Sequence, residues 1–351
     1  TGKLIDICNA IIGHIKGSLS LVTILASALF GAISGSGVAT ASAIGGITIP
    51  AMKREGYPAP FAVGVASISS ILGPIIPPSI VLIVYASITN VSVAELFLGS
   101  VLPGIILAVA LIAYGLYYGH KHNLPAHEKP NLRKIGASVR KGIWALLMPI
   151  IILGGIYGGY FTPTEASVVA VVYGIIVSFC IYREITVKQF IQSLVDSAVA
   201  GSVILLMIST SMSFSWIFAR QGLSRLIVSG VSSVFTTSVS FMILSFVIFL
   251  IFGTFMDANA NALLLLPLMF PVAQSLGINA IHYCIFATGA LIIGSSSPPV
   301  AVNIFTAVSV TGLPMSRIIK GMLPFFIMMI LTVLIYSFFP DLSTFLPNLV
   351  G

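Results

Sequence analysis

Two short polar runs interrupt an otherwise apolar chain, and both carry groups able to hold a small cation. The first is Ile33-Ser34-Gly35-Ser36-Gly37-Val38-Ala39-Thr40; the second is Met256-Asp257-Ala258-Asn259-Ala260-Asn261. Hydroxyls, amide oxygens and backbone carbonyls are hard oxygen ligands. Glycine lets the chain turn sharply enough to bring carbonyls close to an ion. Each run has a companion downstream: Gly73-Pro74-Ile75-Ile76-Pro77-Pro78-Ser79, and Gly294-Ser295-Ser296-Ser297-Pro298-Pro299. Paired prolines donate no backbone hydrogen bond and clash with the preceding turn. Within a membrane the freed carbonyls need protein or a watery cavity to satisfy them. One candidate cation site therefore comprises Ser34, Gly35, Ser36, Gly37, Gly73 and Pro74. The second comprises Asp257, Asn259, Asn261, Gly294, Ser295 and Ser296. The plainer alternatives are small residues for close helix packing and Asp257 as a helix cap. A carboxylate at the centre of a span costs about 2.5–3.5 kcal/mol, which makes Asp257 a functional candidate by default.

An anionic solute has fewer obvious partners. Ser36, Thr40, Ser79, Asn259 and Asn303 are the polar groups near the two runs and breaks. Helix N-termini created at the breaks would point partial positive charge at a carboxylate. No Lys or Arg falls in the apolar core, so anion binding would rest on dipoles, amides and bound cations. Glu165, in Thr162-Pro163-Thr164-Glu165, reads as the cap of the helix that follows.

The elements that must position these groups are membrane helices. Of 351 residues, 58% are hydrophobic and only 7% charged, against about 25% charged in soluble domains; the mean hydropathy is +1.11. Apolar runs at 101–119, 143–161, 166–182, 197–219 and 314–339 approach or exceed the roughly 20 residues of a spanning helix. Residues 61–90 and 280–309 are long enough but broken at the Gly/Pro runs. Residues 18–51 and 236–271 are too short for two crossings and polar at their centres, which predicts re-entrant hairpins with tips at mid-membrane. The amphipathic stretches 3–16, 183–196 and 220–235 predict arms lying on the lipid interface. Cys8, Cys180 and Cys284 stand far apart in apolar runs and read as packing residues, with no metal or disulfide framework. The chain opens at Thr1 inside an amphipathic stretch, which predicts that earlier residues are missing.

Charge sets the orientation. With Lys121, Lys129, Arg133, Lys134, Arg140 and Lys141 of the 120–142 loop placed in the cytoplasm, counting crossings puts Lys3, Lys16, Lys53, Arg54, Arg183, Lys188, Arg317 and Lys320 on the same side. Only Arg220 and Arg225 of the 16 basic residues fall outside, as the positive-inside rule asks. No basic cluster is interleaved with aromatics, so nucleic acid is not a partner.

The chain also repeats itself. Pro50 and Pro271, Gly56 and Gly277, Gly73 and Gly294, Pro77-Pro78 and Pro298-Pro299, and Pro103 and Pro324 are all 221 positions apart. Each unit reads as hairpin, broken helix, whole helix. Five crossings separate the hairpins, so the second unit is inverted. The expected fold is an all-α polytopic membrane protein with an inverted repeat, two re-entrant helical hairpins and two broken helices. Its parts are an arm at 1–17, a first repeat at 18–119, connecting scaffold and arms at 120–235, a second repeat at 236–340 and a tail at 341–351. Inverted repeats with discontinuous helices are the architecture of secondary transporters, with the site at mid-membrane.

Enzyme chemistry does not fit. No Gly-rich run ends in Lys-Ser/Thr, so there is no phosphate loop. An aspartyl protease needs two carboxylates in one site, and only Asp257 lies deep. His282 would have to reach Ser34 or Ser36 for a serine protease, yet it sits at the entry of a span.

The run Phe30 to Tyr57 (FGAISGSGVATASAIGGITIPAMKREGY), GPIIPPS at 73–79, TPTEAS at 162–167, and FMD at 255–257 with Pro298-Pro299 resemble the large membrane subunit of TRAP transporters, the DctM type. The similarity runs along essentially the whole chain. It implies a sodium-driven importer of organic acids such as C4-dicarboxylates or sialic acid, working by an elevator-like motion in the bacterial inner membrane. It makes sodium the cation of both candidate sites. It also implies two partners, a small four-helix membrane subunit and a periplasmic substrate-binding protein. A stand-alone sodium-coupled carboxylate transporter of the wider ion transporter superfamily stays open as the alternative.

Overall fold

A computed structural model describes residues 1–126, 131–222, 228–231, 234–297, 304, 308 and 315–350. Among these every regular element is a helix. Helix α1 (Gly2–Ile12) precedes α2 (Ser18–Ser34) and α3 (Gly37–Arg54). Next come α4 (Ala59–Ser69), α5 (Leu72–Ile75), α6 (Ile80–Thr89) and α7 (Val93–Lys121). Then α8 (Leu132–Tyr157), α9 (Pro163–Ile176, prolonged by a π-turn Val177–Tyr182) and α10 (Val187–Arg220) run in sequence. The last part holds α11 (Ser238–Phe255), α12 (Ala258–Ser275), α13 (Ala280–Ser295), α14 (Met315–Phe338) and α15 (Asp341–Val350).

Among the described residues seven helices are long and apolar enough to cross a membrane: Ala59–Thr89 taken through its break, Val93–Lys121, Leu132–Tyr157, Pro163–Tyr182, Val187–Phe214, Ser238–Phe255 and Ile318–Phe338. The all-α polytopic reading holds. Five of these lie between α3 and α11, the odd number that inversion of the second unit requires. The repeat shows in the helix bounds themselves. The α2–α3 pair breaks at Gly35 and Ser36, and the α11–α12 pair breaks 221 positions later at Met256 and Asp257.

Each hairpin turns for a local reason. Gly35 adopts φ 63°, left-handed and open to glycine, and its N–H bonds to Gly31 O at 2.8 Å, which ends α2. Ser36 is extended, and its side chain accepts from Ala39 N, which starts α3. In the second hairpin Met256 is extended, and Asp257 Oδ2 accepts from Asn259 N at 2.9 Å to start α12. The first broken helix parts at Ser70–Ile71 and again at Ile76–Ser79, after which the Ser79 hydroxyl caps α6 by accepting from Leu82 N.

The two repeats interlock. Phe325 of α14 lies 5.4 Å from Phe61 of α4 and 4.6 Å from Tyr114 of α7, centroid to centroid. Helix α13 is buried along almost its whole length, whereas no residue in the span of α10 is buried within this chain. Without a hydrophobic drive inside lipid, helices associate through close backbone approach at small residues; between α4 and α14 this occurs at Gly64, where an added Cβ would lie 2.8 Å from Met322 Cα. Helices α8, α9 and α10 are largely exposed, α8 packing on α1 and α9, and α10 packing on α12.

Several boundaries differ from expectation. Residues 183–196 are not a separate arm: α10 runs unbroken from Val187 to Arg220, because no proline interrupts it. Half of the 120–142 loop is helical, since Asn131 caps α8 by accepting from Arg133 N at 2.9 Å. The 341–351 tail is helix α15 through Val350, whose Ser343, Thr344 and Pro347 are buried; Asp341 in its first turn suits the helix dipole. The arm at 1–17 is helical only to Ile12 and is tied down where Gly17 N bonds to Pro125 O at 3.1 Å. Cys8 and Cys284 are buried, but Cys180 is exposed; all three are free thiols. Parts of the 220–235 stretch, Arg225 included, and Pro298-Pro299 lie outside the described residues.

Candidate functional site

The first tip is a small web of oxygens. Ser36 O accepts from Thr40 N at 3.1 Å and from Thr40 Oγ1 at 2.7 Å. Ser34 Oγ lies 3.3 Å from Thr40 Oγ1 and accepts from Ser36 N at 3.4 Å. Gly73 presses on this web: a Cβ built there would come 2.9 Å from both Ser36 O and Thr40 Oγ1. On the other side Ser79 Oγ donates to Pro74 O at 2.6 Å, and Ile80 N donates to Gly35 O at 3.4 Å. The N-termini of α3 and α6 thus converge on one turn, each adding partial positive charge.

The second tip is built differently. Asp257 is exposed and Asn261 wholly buried, one helical turn apart, with Asn261 N bonded to Asp257 O at 3.0 Å. Both amide atoms of Asn261, and Asn259 Oδ1, have no partner among the described residues. A buried amide left without a partner costs about 1–3 kcal/mol. In the facing break, Ser295 Oγ donates to Ile292 O at 3.0 Å and Ser297 Oγ to Ile293 O at 2.7 Å. Ser297 N donates to Gly294 O at 2.8 Å.

The two tips share one cleft. Gly35, Ser36, Gly37 and Val38 line it from the first hairpin, Asp257, Ala258 and Asn259 from the second, with Pro74, Ile80, Val81, Ile292 and Ser295 between. Its cavity volume is about 50 Å³, and about 440 Å³ when open solvent is included. Of the expected residues, Gly35, Ser36, Gly37, Pro74, Asp257, Asn259 and Ser295 reach the lining. Ser34, Thr40, Gly73, Ser79, Asn261, Gly294 and Ser296 are not on it; Asn303 lies outside the described residues.

Among the described residues no Lys or Arg lines the cleft, and Asp257 is its one acidic group. Among the described residues no group of three His, Cys, Asp or Glu could hold a metal ion. The donors are therefore neutral oxygens plus a single carboxylate, a set suited to a hard cation of low charge. Val38, Ile80, Val81, Ala258 and Ile292 escape a search for polar groups; their only signal is adjacency to a tip or break. His282 is far from the serines of the first tip in its contacts: its ring nitrogens face Ser337 O at 3.2 Å and Ser343 Oγ at 3.4 Å.

Comparison with known proteins identifies the family. The family model described as "Tripartite ATP-independent periplasmic transporter, DctM component" matches residues 1–342. The chain is 38% identical over 349 residues to the C4-dicarboxylate TRAP transporter large permease protein DctM of Pseudomonas aeruginosa, covering 99% of this chain and 82% of that protein. It is 33% identical to the sialic acid TRAP transporter permease protein SiaT of Haemophilus influenzae, covering 100% of this chain and 57% of that protein. It is 32% identical to the sialic acid TRAP transporter large permease protein SiaM of Vibrio cholerae, covering 99% and 82%. With a matched family model over nearly its full length and a polytopic helical fold, the chain belongs to the DctM component family of tripartite ATP-independent periplasmic transporters, as a multi-pass membrane permease and not an enzyme.

Proposed function

We propose that this chain imports an organic acid, a C4-dicarboxylate, sialic acid or similar carboxylate, by sodium-coupled secondary transport across the bacterial inner membrane. The observation that carries this is a cleft shared by two hairpin tips from opposite halves of the chain, lined among the described residues by neutral oxygens, one carboxylate and no basic side chain. An acid entering such a site needs compensating charge. Sodium held at each tip and its break supplies it, together with the helix N-termini. Ion and acid then bind with mutual benefit, because linkage is reciprocal. The mobile body is the interlocked pair of repeats, moving against the exposed flank α8 to α10 in an elevator-like stroke. A small four-helix subunit covers part of that flank, lipid covers the rest, and a periplasmic binding protein delivers the solute.

The test is uptake by proteoliposomes holding the complete membrane subunits. Accumulation should require both an inward sodium gradient and the loaded binding protein. Equal uptake with choline in place of sodium would remove the coupling. Equal uptake without the binding protein would favour a stand-alone transporter.

A further inference from the structure

Resting on the reading of the two breaks as sodium sites, we propose that Gly31 and Gly253 are positioning residues, each fixing the backbone of one break through direct contact. A Cβ built at Gly31 would lie 2.6 Å from Gly73 Cα and 2.9 Å from Gly73 N. One built at Gly253 would lie 2.8 Å from Gly294 Cα. These are backbone contacts, so neither neighbour can swing aside as a side chain would. Both glycines sit in the last turns of the inbound hairpin helices α2 and α11. The equivalence is hidden in the sequence: Gly31 and Gly253 are 222 positions apart, one more than the repeat, so alignment at the common offset pairs Gly31 with Phe252.

The first unit shows how the contact would reach the site. Gly73 is held between Gly31 on one side and the Ser36 carbonyl and Thr40 hydroxyl on the other. A methyl at position 31 must move Gly73 relative to those oxygens or push α2 away and carry Gly35 with it, since Gly35 N is bonded to Gly31 O. Either route changes the distances among candidate ligands without adding an atom to the site. In the second unit Gly253 and Gly294 touch mutually, so a methyl at 253 displaces the Gly294 backbone in the same way.

The test compares Gly31→Ala, Gly253→Ala and the control Gly46→Ala, whose added methyl meets nothing within 4 Å. Uptake is measured against sodium concentration in proteoliposomes with the complete membrane subunits and binding protein. Each of the first two should raise the half-saturating sodium concentration about tenfold, the scale of a modest overpacking strain, with maximal uptake at saturating sodium within about twofold of the parent. Gly46→Ala should leave both unchanged. A fall in maximal uptake with unchanged sodium dependence would reduce both glycines to plain packing and overturn the proposal. Loss of sodium dependence in the parent protein would instead overturn the sodium reading, and the proposal with it. Should the alanine variants fail to accumulate, hydrogen exchange on the parent complex decides. Sodium should protect peptides covering 28–36 and 70–76 together; protection confined to the tip would overturn the proposal.

Discussion

Asp257 carries the one negative charge among the described residues of the cleft and also caps α12. The two roles separate on substitution. Asp257→Asn keeps the capping oxygen and removes the charge, so the hairpin should fold while sodium binding weakens. The half-saturating sodium concentration for uptake should rise tenfold or more, as expected for loss of a charged partner worth about 1.5–3 kcal/mol. Unchanged sodium dependence would leave Asp257 as a cap alone. Asn261 offers a test of opposite sign. Its amide is wholly buried with no described partner, so in the absence of sodium it should cost stability. Asn261→Leu should therefore raise the sodium-free melting temperature while weakening the stabilisation that sodium confers. A variant that melts lower without sodium would show that the amide has a partner in the protein. Both residues were legible from sequence, since a polar run in an apolar chain is conspicuous. Their difference was not, because burial depends on which side of α12 meets the core.

At the level of elements, local signals forecast most of the architecture. The hydroxyl and carboxylate caps at Ser36, Ser79 and Asp257 start helices at the breaks expected from sequence, whereas α9 starts at Pro163 and not at 166, because Thr162 is its cap and Glu165 completes the capping box from inside the first turn. What the sequence mislaid were joins and ends: α10 absorbed a stretch read as an arm, and the tail became α15. Amphipathic pattern alone does not say whether a charged segment continues into the next span or lies flat. The arm α1 is fastened by Lys3, whose Nζ lies 2.7 Å from Glu184 Oε1 and 3.1 Å from the Tyr182 ring centroid. That hydrogen bond holds the Glu184 carboxyl below its ordinary range. A lowered carboxylate contributes stability above the unfolded Glu pKa and loses it as pH falls through the folded value. Both side chains are solvent-accessible, so the pair is worth about 0–1 kcal/mol. The melting temperature of Lys3→Ala should sit slightly below the parent at pH 7, and the gap should close as pH falls below about 4. A gap that persists in acid would assign the contact to packing of the lysine stem on Tyr182.

For the whole molecule, inversion of the two repeats is the central claim, and it is testable without function. A reporter fused within residues 120–131 should lie in the cytoplasm, and one at 275–280 should lie outside; both on one side would break the inversion. The membrane class, the paired helices at each tip, the first broken helix, the 221-residue spacing and the polar residues at its two tips were all legible along the chain. These follow from hydropathy, proline chemistry and spacing, all of which act along the chain. Packing in three dimensions is what brings tips 221 residues apart to one cleft, puts Ser36 and Asp257 on its lining but not Thr40 and Asn261, and sets Gly31 and Gly253 against the breaks. Such contacts are set by the packing of whole helices against one another. A one-residue slip or a small rotation about a helix axis changes them without altering any local signal in the sequence.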